Sequence, residues 1–328
     1  MIKKYIVLSL SIIFLVSCGG SEALAPISTV EPTQVESTLS PTPEVTMTPE
    51  PFDFPTITYE GMKDPYGIAI NSLGNFYVTD AGNGRVLVFD AQGNLLSTWD
   101  KQGSSDGEFK SMGFGGLAID SNDNVFVVDN GNFRIQKFDK DGNYITQWGS
   151  EGTGDSQFVR VIGIATDKDD NVYVTDDGNP FVQKFDNDGN FIMKFGAQGN
   201  GDGQFSHATG IAVDANGNIF VADYELKRVQ KFDSAGNFIT VWKMGDDIGV
   251  SGIPEAIAID SQGNVYISDY LLGRIQIFDN DGNFISAIGG KSISSNPFKR
   301  PTGIVFDENG KMFVVNQSGN NISIVDLP

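Results

Sequence analysis

Val161-Ile-Gly-Ile-Ala-Thr-Asp-Lys-Asp-Asp-Asn-Val-Tyr-Val-Thr-Asp176, followed by Val182-Gln-Lys-Phe-Asp-Asn-Asp-Gly-Asn-Phe-Ile192, is the third of six copies of one unit. The copies open at Gly67, Gly116, Gly163, Gly210, Ala256 and Gly303, in steps of 49, 47, 47, 46 and 47 residues. So regular a period marks a repeat architecture.

Within a unit the pattern is that of strands. Asn124-Val-Phe-Val-Val-Asp129 and Arg134-Ile-Gln-Lys-Phe-Asp139 are short, rich in β-branched and aromatic residues, and partly alternate in polarity. Most units carry two Asp-x-x-Gly-Asn loops between such runs, as in Asp260-Ser-Gln-Gly-Asn264 and Asp279-Asn-Asp-Gly-Asn283. The fourth position of the first loop is Gly74, Asp123, Asp170, Gly217, Gly263 or Gly310, residues that tolerate the positive φ of a short hairpin turn. Each unit therefore gives four antiparallel strands. The last copy stops after its third, Ile322-Ser-Ile-Val-Asp326, while Pro55-Thr-Ile-Thr-Tyr-Glu60 stands ahead of the first copy as a spare strand. Pairing the two ends predicts an all-β fold, a six-bladed β-propeller of four-stranded antiparallel blades closed by an N-terminal strand.

The fourth copy, Gly203-Gln-Phe-Ser-His-Ala-Thr-Gly-Ile-Ala-Val-Asp214, Gly217-Asn-Ile-Phe-Val-Ala-Asp223 and Arg228-Val-Gln-Lys-Phe232, resembles the NHL repeat, and the resemblance extends over residues 54–328. It implies a propeller of a family made up mostly of binding platforms with a minority of enzymes, so it bears on fold more than on activity.

Ahead of the propeller, Met1-Ile-Lys-Lys-Tyr5 is a short basic start and Ile6 to Val16 is mostly apolar but too short for a mature span. Leu15-Val-Ser-Cys18 resembles a bacterial lipobox, which implies a lipoprotein signal peptide over 1–17 and lipidation of Cys18, with the protein held outside the cytoplasm on a membrane. Cys18 is the only cysteine, so no thiol is left for disulfides, metal or nucleophilic attack. Residues 18–53 form a Pro/Thr/Ser-rich stretch unable to pack a core, read as a disordered tether. Cleavage before Cys18 leaves 20 basic residues against 42 acidic ones, a net of −22. Nucleic acid is not an expected partner, because phosphate binding needs clustered cations.

Catalytic motifs are thin. The lyases among NHL-like propellers use several histidines, and His207 is the only histidine, so a three-His zinc site is excluded. Gly103-Ser-Ser-Asp-Gly107 matches G-x-S-x-G but lies in a glycine-rich interblade loop without a strand-turn-helix setting. Asp139-Lys-Asp-Gly-Asn143 and its relatives look like the front of a calcium loop, yet the twelfth position is Ser150, Ala197 or Gly290 instead of Glu, which leaves Asx turns as the reading.

Comparison among copies separates scaffold from site. The second strand ends in Asp80, Asp129, Asp176, Asp223 and Asp269 but Asn316 in the last copy; the third begins with Arg85, Arg134, Phe181, Arg228, Arg274 and Asn321. The joint loss of charge in copy six predicts a bracing Asp–Arg pair. Copy three keeps Asp176 beside Asp177 without the arginine, which makes both acids candidates for a functional role. The links after the second strand bring Phe181, Tyr224, Tyr270 and Leu271 towards one rim, either to pack there or to contact a partner. Lys63, Lys110, Arg160, His207, Lys299 and Arg300 follow the recurrent apolar interblade position; they either pair with neighbouring aspartates or attract an anionic group. The expectation is a lipid-anchored, monomeric, non-catalytic platform for a protein, peptide or glycan, with no cofactor. The alternative is a metal-dependent hydrolase or lyase built on an Asp/Asn/Glu site.

Overall fold

The computed structural model describes residues 54–245, 252–289 and 296–327; the signal peptide, Cys18 and the tether lie outside them. Six four-stranded antiparallel sheets follow one another as blades. Their first strands, Pro65–Ile70, Leu117–Ile119, Val161–Thr166, Ala208–Val213, Pro254–Ile259 and Pro301–Phe306, pack side by side around a central channel. Blade six takes its fourth strand from the front of the domain. Thr56–Thr58 runs antiparallel to Asn321–Val325, with Ile57 opposite Ile322, as the spare-strand reading requires. Closure removes the open sheet edge that the last blade would otherwise present.

The recurring glycine at the start of each unit is explained by how closely the first strands approach. A Cβ on Gly163 would lie 2.4 Å from the Thr209 carbonyl oxygen, and one on Gly210 would lie 2.4 Å from that of Glu255. All six first-hairpin positions singled out above have positive φ, from 62° at Asp170 to 87° at Gly263.

The core is divided into six apolar clusters, one between each pair of neighbouring blades. Phe109, Phe158, Phe205 and Phe298, the apolar residues ahead of the basic set, are buried in these clusters. Each such side chain removed from water contributes roughly 1.5–3 kcal/mol. At the outer edge, Trp148 of blade two covers the second hairpin turn of blade three, where a Cβ on Gly189 would meet its indole at 2.4 Å. Trp99 and Trp242 cover Gly142 and Gly282 in the same way.

Candidate binding site at the channel mouth

The residue ending the second strand is an anchor for the interblade loop in every blade. Asp80, Asp129, Asp176, Asp223 and Asp269, and the Asn316 side-chain oxygen, accept the backbone N–H of Lys63, Lys110, Arg160, His207, Ile253 and Lys299 respectively. The expected Asp–Arg pair exists in blades one, two and five, where Arg85, Arg134 and Arg274 approach Asp80, Asp129 and Asp269 within 2.6–3.1 Å. In blade four Arg228 instead donates to the carbonyls of Asn200, Gly201 and Gln204. Blade six replaces both charges with an Asn316–Asn321 hydrogen bond of 2.8 Å.

Asp176, the acid without an arginine, is not free. It is buried and accepts the N–H groups of Val159, Arg160 and Gly178 and the Asn179 side-chain amide. It holds the loop, and Asn179 donates to it as Asn83 and Asn132 donate to Asp80 and Asp129, while Phe181 occupies the arginine position.

Asp177, the next residue, is different. Its N–H donates to the Arg160 carbonyl, which brings the second-to-third-strand link against the interblade loop. Its carboxylate pairs with the Arg160 guanidinium, and Oδ1 lies 3.7 Å from Nδ1 of His207. That oxygen is buried and accepts no hydrogen bond. The same link-to-loop bond joins Tyr224 to His207 and Tyr270 to Ile253, so these links share one face.

These residues enclose a cavity of about 190 Å³ at the mouth of the channel. Tyr66, Phe114, Tyr224 and Tyr270 supply aromatic surface, Ile162 and Thr209 come from the first strands, and Arg160, Asp177 and Glu255 line it beside the His207 imidazole. The Tyr66 and Phe114 rings are 5.7 Å apart. Glu255 is buried, and its Oε1 accepts a hydrogen bond from the Tyr66 hydroxyl. Burial pushes its carboxyl up to about 7, only partly offset by the tyrosine bond. Burial also raises the Tyr66 hydroxyl well above its ordinary value, with Glu255 adding to the rise, so Tyr66 remains a donor.

Of the residues singled out in the sequence, Arg160, Asp177, His207, Tyr224 and Tyr270 are brought together here. Arg300 lines an adjoining hollow that shares Phe114 and Tyr270, and its guanidinium stands 5.6 Å from the Tyr270 ring centre. Lys63, Lys110 and Lys299 are exposed and line neither hollow. Leu271 is exposed away from the cavity, and the Phe181 ring is covered by the Lys194 ammonium at 5.2 Å.

Sequence reasoning missed Tyr66, Phe114 and Glu255. Two signals mark them. The step of 49 residues from the first copy to the second places two extra residues between Phe109 and Gly116, and that lengthened loop carries Phe114. The residue ahead of each opening glycine or alanine is Tyr66, Gly115, Ile162, Thr209, Glu255 or Thr302, and Glu255 is the only ionisable acid in the set.

The calcium-like loops are closed Asx turns. Asp279 Oδ1 accepts the N–H groups of Asp281 and Asn283, while Oδ2 accepts the Asn283 amide; Asp139 and Asp186 do the same in their loops. The Asn283 amide holds the Asp279 carboxyl below the ordinary carboxylate range. Gly103-Ser-Ser-Asp-Gly107 belongs to an interblade clip in which the Gly103 N–H donates to the Phe109 carbonyl and the Ser105 N–H to Glu108.

Residues 63–89 and 115–138 match the NHL repeat, and residues 166–256 match a family described as 6-bladed beta-propeller. The chain is thus a six-bladed β-propeller carrying NHL repeats. No curated protein matches it in sequence. Among solved structures it is similar to virginiamycin B lyase from Staphylococcus aureus, at 13% identity and TM-score 0.59 over 84% of this chain and 99% of that one. A gluconolactonase from Xanthomonas campestris matches at 16% identity and TM-score 0.59 over 84% and 95%. A protein of unknown function from Bacteroides thetaiotaomicron matches at 16% identity and TM-score 0.62 over 83% and 72%. At these identities the likeness is one of fold.

Proposed function

We propose that this protein is a lipid-anchored, extracytoplasmic binding module that captures a protein, peptide or glycan on the loop face, with the channel-mouth cavity as its anchoring pocket. The observation that carries this reading is the cavity itself, where four aromatic rings and two buried carboxyls converge from several blades. At about 190 Å³ it is smaller than the roughly 300–1,000 Å³ typical of whole small-molecule sites, and it suits one side chain or one ring of a larger partner. Aromatic residues in such a pocket supply contact area at little entropic cost, as binding anchors do.

The alternative, a metal-dependent hydrolase or lyase, draws support from the folds of the lyase and the gluconolactonase. Among the described residues no three His, Cys, Asp or Glu side chains converge as a metal-ligand set. The binding reading rests on the aromatic lining of the cavity.

The test is binding of purified full-length protein to arrays of peptides and glycans. Tyr224→Ala with Tyr270→Ala is expected to abolish the signal, whereas Ile192→Ala, on an exposed outer strand, is expected to leave it intact. A double variant that binds like the parent overturns the reading.

A further inference from the structure

The two buried carboxyls of the cavity are in different electrical states. Asp177 is neutralised by Arg160. Glu255 has no cation: among the described residues its side chain is engaged only by the Tyr66 hydroxyl. A carboxyl removed from water without a counter-charge is costly, because one neutral hydrogen bond does not replace its hydration. Here the deficit sits on the wall of an open cavity, where something from outside can supply what the fold omits.

The rest of the lining indicates what that is. Tyr66, Phe114, Tyr224 and Tyr270 present aromatic surface, and ring faces attract cations. The fold already stations cations on aromatic rings elsewhere, with Lys231 5.5 Å from the Phe220 centroid and Lys184 4.8 Å from that of Tyr173. The unpartnered Oδ1 of Asp177 offers an acceptor to a ligand with more than one N–H. The chain's net charge of −20 draws cations towards it at long range. An anionic ligand meets the opposite conditions. Arg160 is already paired, His207 leans on Asp177, and an anion in the cavity would face Glu255.

We propose that the channel-mouth cavity takes an ammonium group, the end of a lysine side chain or a small primary amine, with Glu255 as its counter-charge and the four aromatic residues as its walls. This rests on the binding-module reading above and names the chemistry of the group that enters the pocket.

The experiment is calorimetry on the full-length protein with n-butylammonium chloride, sodium butyrate and n-butanol, and with a blocked Gly-Lys-Gly peptide against its norleucine counterpart. Butylammonium and the lysine peptide are expected to bind, and the neutral and anionic analogues to give no heat. Glu255→Gln is expected to weaken amine binding about tenfold or more, since a charge-assisted contact is lost. The thermal transition of that variant reports that it is folded, and Tyr224→Ala provides a second, independent loss of the wall. Tighter binding of the lysine peptide assigns the pocket to a protein or peptide partner; tighter binding of butylammonium assigns it to a free amine. Butyrate or butanol binding as well as butylammonium, undiminished amine affinity in Glu255→Gln, or calcium ion binding through Glu255 while amines do not bind, each overturns the proposal. Array binding that still depends on Tyr224 and Tyr270 in that event leaves the binding module standing and removes only the amine.

Discussion

The Tyr66 hydroxyl donates to Glu255 across the channel mouth, tying blade one to blade five over 189 residues of sequence. The two blades are not neighbours in the ring, since blade six lies between them. The bond is possible because residues ahead of the opening glycines ring a narrow channel, where opposing side chains meet.

That bond does not remove the cost of burying Glu255, which sets a pH-dependent stability. The carboxyl rises from 4.5 to about 7 on folding, so the folded state holds the proton more tightly. Stability from this group is therefore greatest at low pH and falls as pH rises from 4.5 to about 7. At 1.36 kcal/mol per unit the loss is on the order of 3 kcal/mol. Glu255→Gln should match the parent in thermal denaturation near pH 5 and exceed it by several degrees near pH 8. Equal melting temperatures at the higher pH would show that the carboxyl is not an uncompensated charge.

Amine capture should have the complementary dependence. The groups facing the cavity are Tyr66, Tyr224 and Tyr270, Arg160 with Asp177, and His207 beside them. Deprotonation of Glu255 creates the counter-charge, so butylammonium affinity should increase as pH rises through about 7. His207→Asn is the control for the imidazole that stands beside Asp177. A rise in affinity that persists in Glu255→Gln would show that Glu255 is not the group responsible.

Ring closure can be weighed at one side chain. Ile57 is buried with Met62, Phe76, Phe89, Val315 and Ile322 between blades six and one. Ile57→Ala should cost about 2–4 kcal/mol by denaturant titration, and deletion of residues 54–61 should cost more because it also exposes the edge of Asn321–Val325. A melting temperature unaffected by the deletion is incompatible with closure by this strand.

Two hairpin glycines separate backbone strain from crowding. Gly189 has φ of 87° and faces Trp148 at 2.4 Å from an added Cβ, whereas Gly310 has φ of 79° and nothing within 4 Å. Gly310→Ala should cost about 1 kcal/mol, the strain of a left-handed alanine. Gly189→Ala should cost that and roughly 1–3 kcal/mol more for displacing the indole. Comparable losses in the two variants would mean that Trp148 moves aside freely.

Cys18→Ser tests the anchor. The variant should incorporate no labelled fatty acid and should leave the membrane fraction. Unchanged labelling would sink the lipoprotein reading and with it the proposed location.

The periodic parts of the fold were legible because they obey local rules repeated six times. Gly67, Gly163, Gly210 and Gly303 are required by strand approach, and Asp170 and its equivalents by a positive-φ turn. The site was legible only in part. Arg160, Asp177, His207, Tyr224 and Tyr270 stood out as members of repeating positions on one face. Their convergence depends on which blades face one another across the channel, and no periodicity within a unit reports that. Glu255 and Phe114 were hidden for the opposite reason. They are departures from the repeat at places that looked like scaffold, a first strand and a loop length.

The two extra residues that carry Phe114 into the mouth occur in one interblade loop only. A ring of six equivalent loops would offer a guest six interchangeable orientations, related by rotation about the channel axis. Phe114 on one side and Glu255 on the other abolish that equivalence and give the mouth a front and a back. The propeller should therefore hold one guest per ring, in a single pose, and the rest of any larger partner should lie across a fixed subset of the blades.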